Sequence, residues 1–389
     1  MIIAFDVLPL VSSHMSGIGY CQSGQIRAMM ALHPDNNYKL QFFPTGDRSE
    51  NLERLSLYID LEHRNVSVHQ GNFSGYLYRL ISNFIPLPYS AFFGKDSEIT
   101  HFFNYIIPPG VAGAKVVTVH DMVYKAYPET VRGRTRYMLE TGLKRSLKRA
   151  DLIITDSEFS KKEIIKYFPW TADKLRVVYC GVDRNRFYPV KDNAKIEEVK
   201  KSMKIDGDYF LYLGTLEPRK NLERLVKAYS VFSKKYSNPP KLVLAGGSGW
   251  YNEGLFNTIK ELKIEDKIIR TEYVLDECIC PLMCGALAFV FPSLYEGFGM
   301  PPLEAMACGA PVLTSNAASL PEVVGDCAIL VDPYSIDEIA EGLDKLYNNP
   351  DIREKLGELG RKRAAMFSWE NAAAALYDVY KEILDGREK

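Results

Sequence analysis

Four short stretches of the 389-residue chain carry residue types that could act on a charged, oxygen-rich ligand. The densest runs Glu296-Gly297-Phe298-Gly299-Met300-Pro301-Pro302-Leu303-Glu304. A carboxylate accepts hydrogen bonds from vicinal hydroxyls, and glycines let a ligand approach the backbone closely. Pro301 and Pro302 suit the opening of a helix, which places Glu304 in its first turn; Gly309 can cap the end, and Pro311 starts a strand. An acid that merely stabilises a helix N-terminus would leave Glu296 and the glycines unexplained. The second stretch is Gly214-Thr215-Leu216-Glu217-Pro218-Arg219-Lys220-Asn221, a strand running into a glycine turn and then two cations at a helix start. Cations there oppose the helix dipole, and a bound anion would resolve the conflict. The ordinary alternative is a solvated basic turn. The third is His120, at the end of an apolar strand spanning 116–120, either pointing into a site or satisfied within the fold. The fourth is the loop Ser16-Gly17-Ile18-Gly19-Tyr20, where Gly17 and Gly19 would bring backbone N–H groups and a helix N-terminus to an anion. Gln22 stands where a dinucleotide loop would carry its third glycine, which disfavours a dehydrogenase.

The elements that position these residues read as alternating strands and helices. Strands are expected at 2–7, 116–120, 152–155, 209–213, 242–245, 288–291 and 311–314. Helices are expected at 24–32, 134–149, 157–167, 221–235, 303–308, 336–348 and 351–367, with a last helix at 369–384. Such alternation predicts α/β architecture with doubly wound parallel sheets. The length suits two domains. The expected division is 1–190, 191–370 and a C-terminal helix, 371–389, crossing back to the first domain. Ligands of open parallel sheets sit at the carboxyl ends of the strands, so a cleft between the domains is the default site.

Composition narrows the rest. Lys plus Arg is 48 against 49 for Asp plus Glu, so nothing draws the whole chain to nucleic acid. Seven scattered cysteines point to a reducing compartment and not to a disulfide framework. Cys278, Cys280 and Cys284 cluster without the spacing of a zinc site, and Cys280 and Cys284 read as helix core. The start of the chain reads as a strand and not as a signal peptide, and no apolar run reaches the ~20 residues of a membrane helix. A cytoplasmic location is therefore expected. Residues 132–149 hold Arg132, Arg134, Arg136, Lys144, Arg145, Lys148 and Arg149 against Glu140, with Leu139, Leu143 and Leu147 repeating every fourth position. That helix is either an ordinary domain helix with a basic face or a peripheral contact for an anionic membrane. Tyr76 to Phe93, rich in aromatics and prolines, could line an acceptor groove or be core.

Taken together, these stretches resemble the family 4 retaining glycosyltransferases of the two-domain GT-B fold, over nearly the whole chain. Glu296 and Glu304 match the family's paired glutamates, Arg219 and Lys220 its diphosphate-binding basic pair, Gly17 and Gly19 its N-terminal phosphate loop, and His120 its active-site histidine. The stretch from Gly214 to Asn221 is similar to members that use GDP-mannose, as in bacterial mannosyltransferases of polysaccharide assembly; UDP- or dTDP-sugars are the other donors considered. The resemblance implies transfer of a hexose, with retention, from a nucleotide diphosphate sugar to a saccharide or lipid-linked acceptor. It implies donor contacts from Gly214, Gly297, Phe298 and Gly299 beside the residues above, Glu304 on the ribose, and no cofactor or metal, since two cations do the metal's work. An epimerase or phosphorylase of the same fold, or a binding subunit without turnover, are the alternatives.

Overall fold

A computed structural model describes residues 1–12, 15–81, 85–247, 249 and 253–387, without the side chains at 76, 79 and 80. Within the acceptor-groove candidate 76–93, residues 82–84 and those three side chains lie outside the described residues. The chain forms two compact units, one of residues 1–124, 133–181 and 368–389, the other of 125–132 and 182–367. The division thus falls at 181/182 and not at 190, and 125–132 belongs with the second unit, a detail no composition shift marks. Helix Trp369–Arg387 packs in the first unit against helix Gly17–Leu32, burying Ala372, Ala373, Leu376 and Tyr380.

The first unit holds a seven-stranded sheet of β1 (Ile2–Asp6), β2 (Asn37–Phe42), β3 (Val66–Gln70), β4 (Ile99–Phe102), β5 (Ala114–Thr118), β6 (Leu152–Thr155) and β7 (Leu175–Val177). Its order is β3-β2-β1-β4-β5-β6-β7, with every pair parallel. The second unit holds β8 (Tyr209–Leu213), β9 (Lys241–Ala245), β10 (Ile268–Thr271), β11 (Ala288–Phe291), β12 (Val312–Ser315) and β13 (Ile329–Val331), ordered β10-β9-β8-β11-β12-β13 and likewise parallel. Strands buried on both faces read as continuous apolar runs, as in Ala288–Phe291, which is buried throughout. In each sheet the strand order reverses once, between β1 and β4 and between β8 and β11. Crevices open at such reversals, beyond the carboxyl ends of the strands.

The basic helix runs Gly133–Arg149 and buries Leu139, Leu143 and Leu147, so its apolar stripe is already used inside the domain. Arg134, Arg136, Lys144, Arg145 and Lys148 remain exposed. No helix among the described residues is long and apolar enough to cross a membrane.

Candidate active site

Two loops meet at the strand reversal of the second sheet. After β8 the backbone turns at Gly214, whose φ of +151° lies outside the range a side chain tolerates well. A short 3₁₀ turn, Pro218–Lys220, then carries the two cations. They precede the helix Leu222–Ser233 and do not open it. Asn221 sits between them and that helix in the left-handed region, which asparagine accepts more readily than most residues. Its side chain donates to the carbonyls of Pro292 and Pro333 at 3.0 and 2.6 Å, stitching this loop to the one after β11. Leu294 N donates to the Arg219 carbonyl at 2.9 Å.

Glu296 stands at the junction. It receives Arg219 Nη1 and Lys220 Nζ, both at 2.7 Å, and Ser293 Oγ at 2.6 Å. Glu217 takes Arg219 Nη2 at 2.7 Å and lies 4.0 Å from Lys220 Nζ. Burial pushes the Glu296 carboxyl up, but the two cations more than offset it and hold the group near a pKa of about 2. Burial and Arg219 lower the Lys220 ammonium, while Glu296 and Glu217 pull the other way. The misplacement expected of the cations is therefore resolved inside the chain by carboxylates. Glu217 is the partner that the sequence motif did not flag. An ammonium has three N–H donors, so Lys220 can serve an anion while keeping Glu296.

The rest of the loop is held by backbone. Ser319 Oγ donates to the carbonyls of Glu296 and Phe298, at 2.9 and 2.6 Å. The Phe298 ring packs against Phe367 and is buried, so only its backbone can meet a ligand. Gly299 has φ +120°, and a Cβ there would come 2.9 Å from Leu320 Cδ2. The next helix starts at Met300, not at 303, so Glu304 falls in its second turn and not its first. Glu304 is only partly exposed. Burial raises it to about 7, with Arg186 opposing and Asp276 reinforcing the shift. Arg186 itself is paired with Asp276 at 2.8 Å. The Asp206-Gly207-Asp208 triplet, a pair of carboxylates of the kind that holds divalent cations elsewhere, precedes β8 and so lies at the other end of the sheet from Arg219 and Lys220.

In the first unit, Gly17 and Gly19 belong to the first turn of the helix Gly17–Leu32 and not to a loop before a helix at 24. Ser16 caps it, accepting from Gly19 N at 3.4 Å. Gly17 borders open space, while a Cβ at Gly19 would come 2.6 Å from Met15 Sδ. His120 lies two residues beyond the end of β5 at Thr118. Its Nδ1 meets Asp156 Oδ2 at 2.6 Å and its Nε2 meets the Phe103 carbonyl at 2.7 Å. A carbonyl and a carboxylate both only accept, so both ring nitrogens carry protons and His120 is an imidazolium. Burial lowers its pKa, but Asp156 overcomes this and lifts it to about 10. Such a histidine supplies fixed positive charge and not a mobile proton. Stability from this pair is complete below the unfolded histidine's pKa of ~6.5 and is lost as pH rises through about 10. We expect urea unfolding free energies to fall by a few kcal/mol between pH 6 and 10, with the slope flattened in Asp156→Asn. An equal slope in that variant would remove the ion pair from the account.

The same unit contains a cavity of about 600 Å³ lined by Tyr78, Tyr89 and Phe102 together with Arg134, Arg145 and Arg149 of the basic helix. The sequence marks Tyr78, Tyr89 and the arginines in separate stretches; the fold puts them, with Phe102, around one space.

Residues 164–363 match the family described as Glycosyl transferases group 1, and residues 59–186 that described as Glycosyltransferase Family 4. The chain is 37% identical over 286 residues to "O-antigen chain mannosyltransferase B" of Escherichia coli, covering 73% of this chain and 74% of that one. It is 30% identical over 297 residues to "Serotype-specific mannosyltransferase WbdA" of Escherichia coli, covering 74% of this chain but 36% of that longer protein. Among solved structures, Anabaena Alr3699/HepE in complex with UDP and glucose superposes with a TM-score of 0.73 at 17% identity, over 98% of this chain and 99% of that one. Sucrose-phosphate synthase of Thermosynechococcus elongatus does so with 0.74 at 21%, over 99% of each. These two likenesses concern the fold, which is GT-B, with two Rossmann-like domains.

Proposed function

Given that the chain belongs to the group 1 glycosyl transferases, we propose that it moves mannose, with retention, from GDP-mannose to a saccharide acceptor during polysaccharide assembly. It is a glycosyltransferase by family. The donor, the stereochemistry and the acceptor are the proposal. The observation that carries it is the Arg219–Lys220–Glu296 cluster, with Lys220 and Glu296 buried, at the strand reversal of the second sheet. Two cations held by carboxylates form a preorganised seat for the charge that develops on a departing diphosphate. Retention would follow if the acceptor hydroxyl attacks from the leaving group's own face, with a diphosphate oxygen taking its proton. Glu304 would hold the ribose, and Gly214, Gly297 and Gly299 would let backbone approach the nucleotide. Gly17 and Gly19 would present a helix N-terminus to phosphate oxygens. Mannose as the sugar rests on Gly214–Asn221 and on the mannosyltransferases named among the relatives.

The cavity beside the basic helix suits an acceptor that joins sugar rings to an anionic or lipid carrier. Aromatic side chains stack on sugar or isoprenoid, and arginines bind phosphate. With the leucine stripe buried, contact between this helix and an anionic membrane would be electrostatic and would weaken with salt.

A panel of GDP-mannose, UDP-glucose, UDP-N-acetylglucosamine, UDP-galactose and dTDP-rhamnose tests the donor. GDP-mannose is expected to raise the melting temperature by several degrees at saturation. It should also release GDP slowly, unchanged by EDTA. A shift with another donor alone would reassign the sugar, and loss of turnover in EDTA would bring a metal into the mechanism.

A further inference from the structure

Away from that cluster, the second unit gathers three cysteines that the sequence keeps apart. Cys280 and Cys284 lie one turn apart on the helix Asp276–Cys284, and Cys308 is the last residue of the helix Met300–Cys308. Their sulfurs all fall within 4.8 Å of one another, with Cys280 and Cys308 at 3.6 Å. Cys278, expected in the same cluster, is not part of it. The thioether of Met283 is 3.8 Å from Cys308 Sγ. Backbone N–H groups of Tyr188 and Val190 point at Cys280 and Cys284, at 3.5 and 3.3 Å. Donation from backbone N–H favours thiolates, as outer-shell contacts do around metal-bound sulfur. Cys280 Sγ itself donates to the Tyr188 carbonyl at 3.0 Å, a bond that a ligating thiolate gives up. Cys280 and Cys308 are buried and Cys284 is half-buried, which leaves one sulfur as the point of entry.

We propose that Cys280, Cys284 and Cys308 form a binding site for a soft, thiophilic cation, copper(I). An ion ~2.3 Å from each of three sulfurs needs them ~4.0 Å apart, so changes in sulfur–sulfur separation of no more than about 0.8 Å suffice. A donor set of thiolates with a thioether alongside selects copper(I), whereas structural zinc takes four ligands, and the group holds no histidine or carboxylate to complete that number. Each thiol that ligates releases its proton to solvent, and no electron is transferred. Occupancy would clamp the helices Asp276–Cys284 and Met300–Cys308 to the segment at 188–190. It plays no part in the transfer reaction proposed above.

The test is anaerobic titration of reduced protein with copper(I) in the presence of bicinchoninate, which colours on taking the ion. Wild type is expected to withhold one equivalent, and Cys21→Ala, which alters the other buried thiol pair, to do the same. Cys284→Ser and Cys308→Ser should each withhold less, with their circular dichroism unchanged. No withheld equivalent in wild type overturns the site. So does an equivalent that persists in both serine variants or disappears in Cys21→Ala. A matching titration with zinc and a colorimetric zinc chelator decides the metal: tighter retention of zinc than of copper(I) overturns the assignment to copper.

Discussion

Lys220→Ala is expected to lower kcat by roughly 10²–10³-fold, the usual effect of removing one preorganised donor from a developing oxyanion. The ammonium is held 2.7 Å from Glu296 and 4.8 Å from the centre of the Phe291 ring, so its position is set before any ligand arrives. Truncation leaves Glu296 bound by Arg219 and by Ser293. The site therefore keeps no bare carboxylate. The stability cost should fall below the ~3–5 kcal/mol typical when a buried charge loses its only partner. The measurement is kcat and donor KM alongside the melting temperature. A change confined to KM would mean that Lys220 binds donor and transition state equally. A near-wild-type kcat would remove it from the leaving-group seat.

The second large effect is expected at Glu304, where stability and binding should move in opposite directions. Burial raises this carboxyl to about 7, above the unfolded value of ~4.3. The folded state then binds the extra proton between those values, so this residue's contribution makes stability fall as pH rises from about 4.3 to 7, the loss being complete above about 7. Glu304→Gln removes that penalty and should stabilise the protein by on the order of 1–3 kcal/mol at pH 8, with little change at pH 4. The same substitution removes a charged acceptor for ribose hydroxyls, a contact of ~1.5–3 kcal/mol, so donor KM should rise ~10–100-fold. In wild type, donor KM should fall as pH rises through about 7, because the carboxylate is the better acceptor. Arg186 and Asp276 bear on the titration from their own elements, and Asp276→Asn should move the KM transition to lower pH. A Glu304→Gln enzyme with unchanged KM and unchanged stability would place Glu304 outside the nucleotide site.

Most strands buried on both faces declared themselves in the sequence, β4 being an exception. The expected and observed limits coincide at 152–155, 209–213 and 288–291, because an apolar run bounded by turn residues has few other uses. β2, β3, β4, β7, β10 and β13 were not legible. β3 and β10 are sheet edges, half-buried, and Val66-Ser-Val-His-Gln70 carries as much polar as apolar character. β4 is four residues long and includes His101. The helix starting at Gly17 was hidden by its glycines, which read as loop until Ser16 is seen capping it.

The histidines show where sequence stops. His101 and His120 both stand at or near the carboxyl end of a short apolar strand, and nothing local separates them. In the fold, His101 meets Tyr380 Oη at 2.7 Å and Thr118 Oγ1 at 2.8 Å, and burial holds its pKa down near 3, so it is neutral. His120 meets Asp156 and is charged. Likewise the sequence alone placed Arg219, Lys220 and Glu296 just past legible strands and Glu304 near the start of the helix that follows, since strand, turn and helix signals are local. That Glu217 and Glu296 share the two cations, that Glu304 titrates near 7 and that Cys308 joins Cys280 required the tertiary structure. Charge state and ligand sets depend on burial and on partners up to hundreds of residues away, and only the folded chain brings those partners within bonding distance.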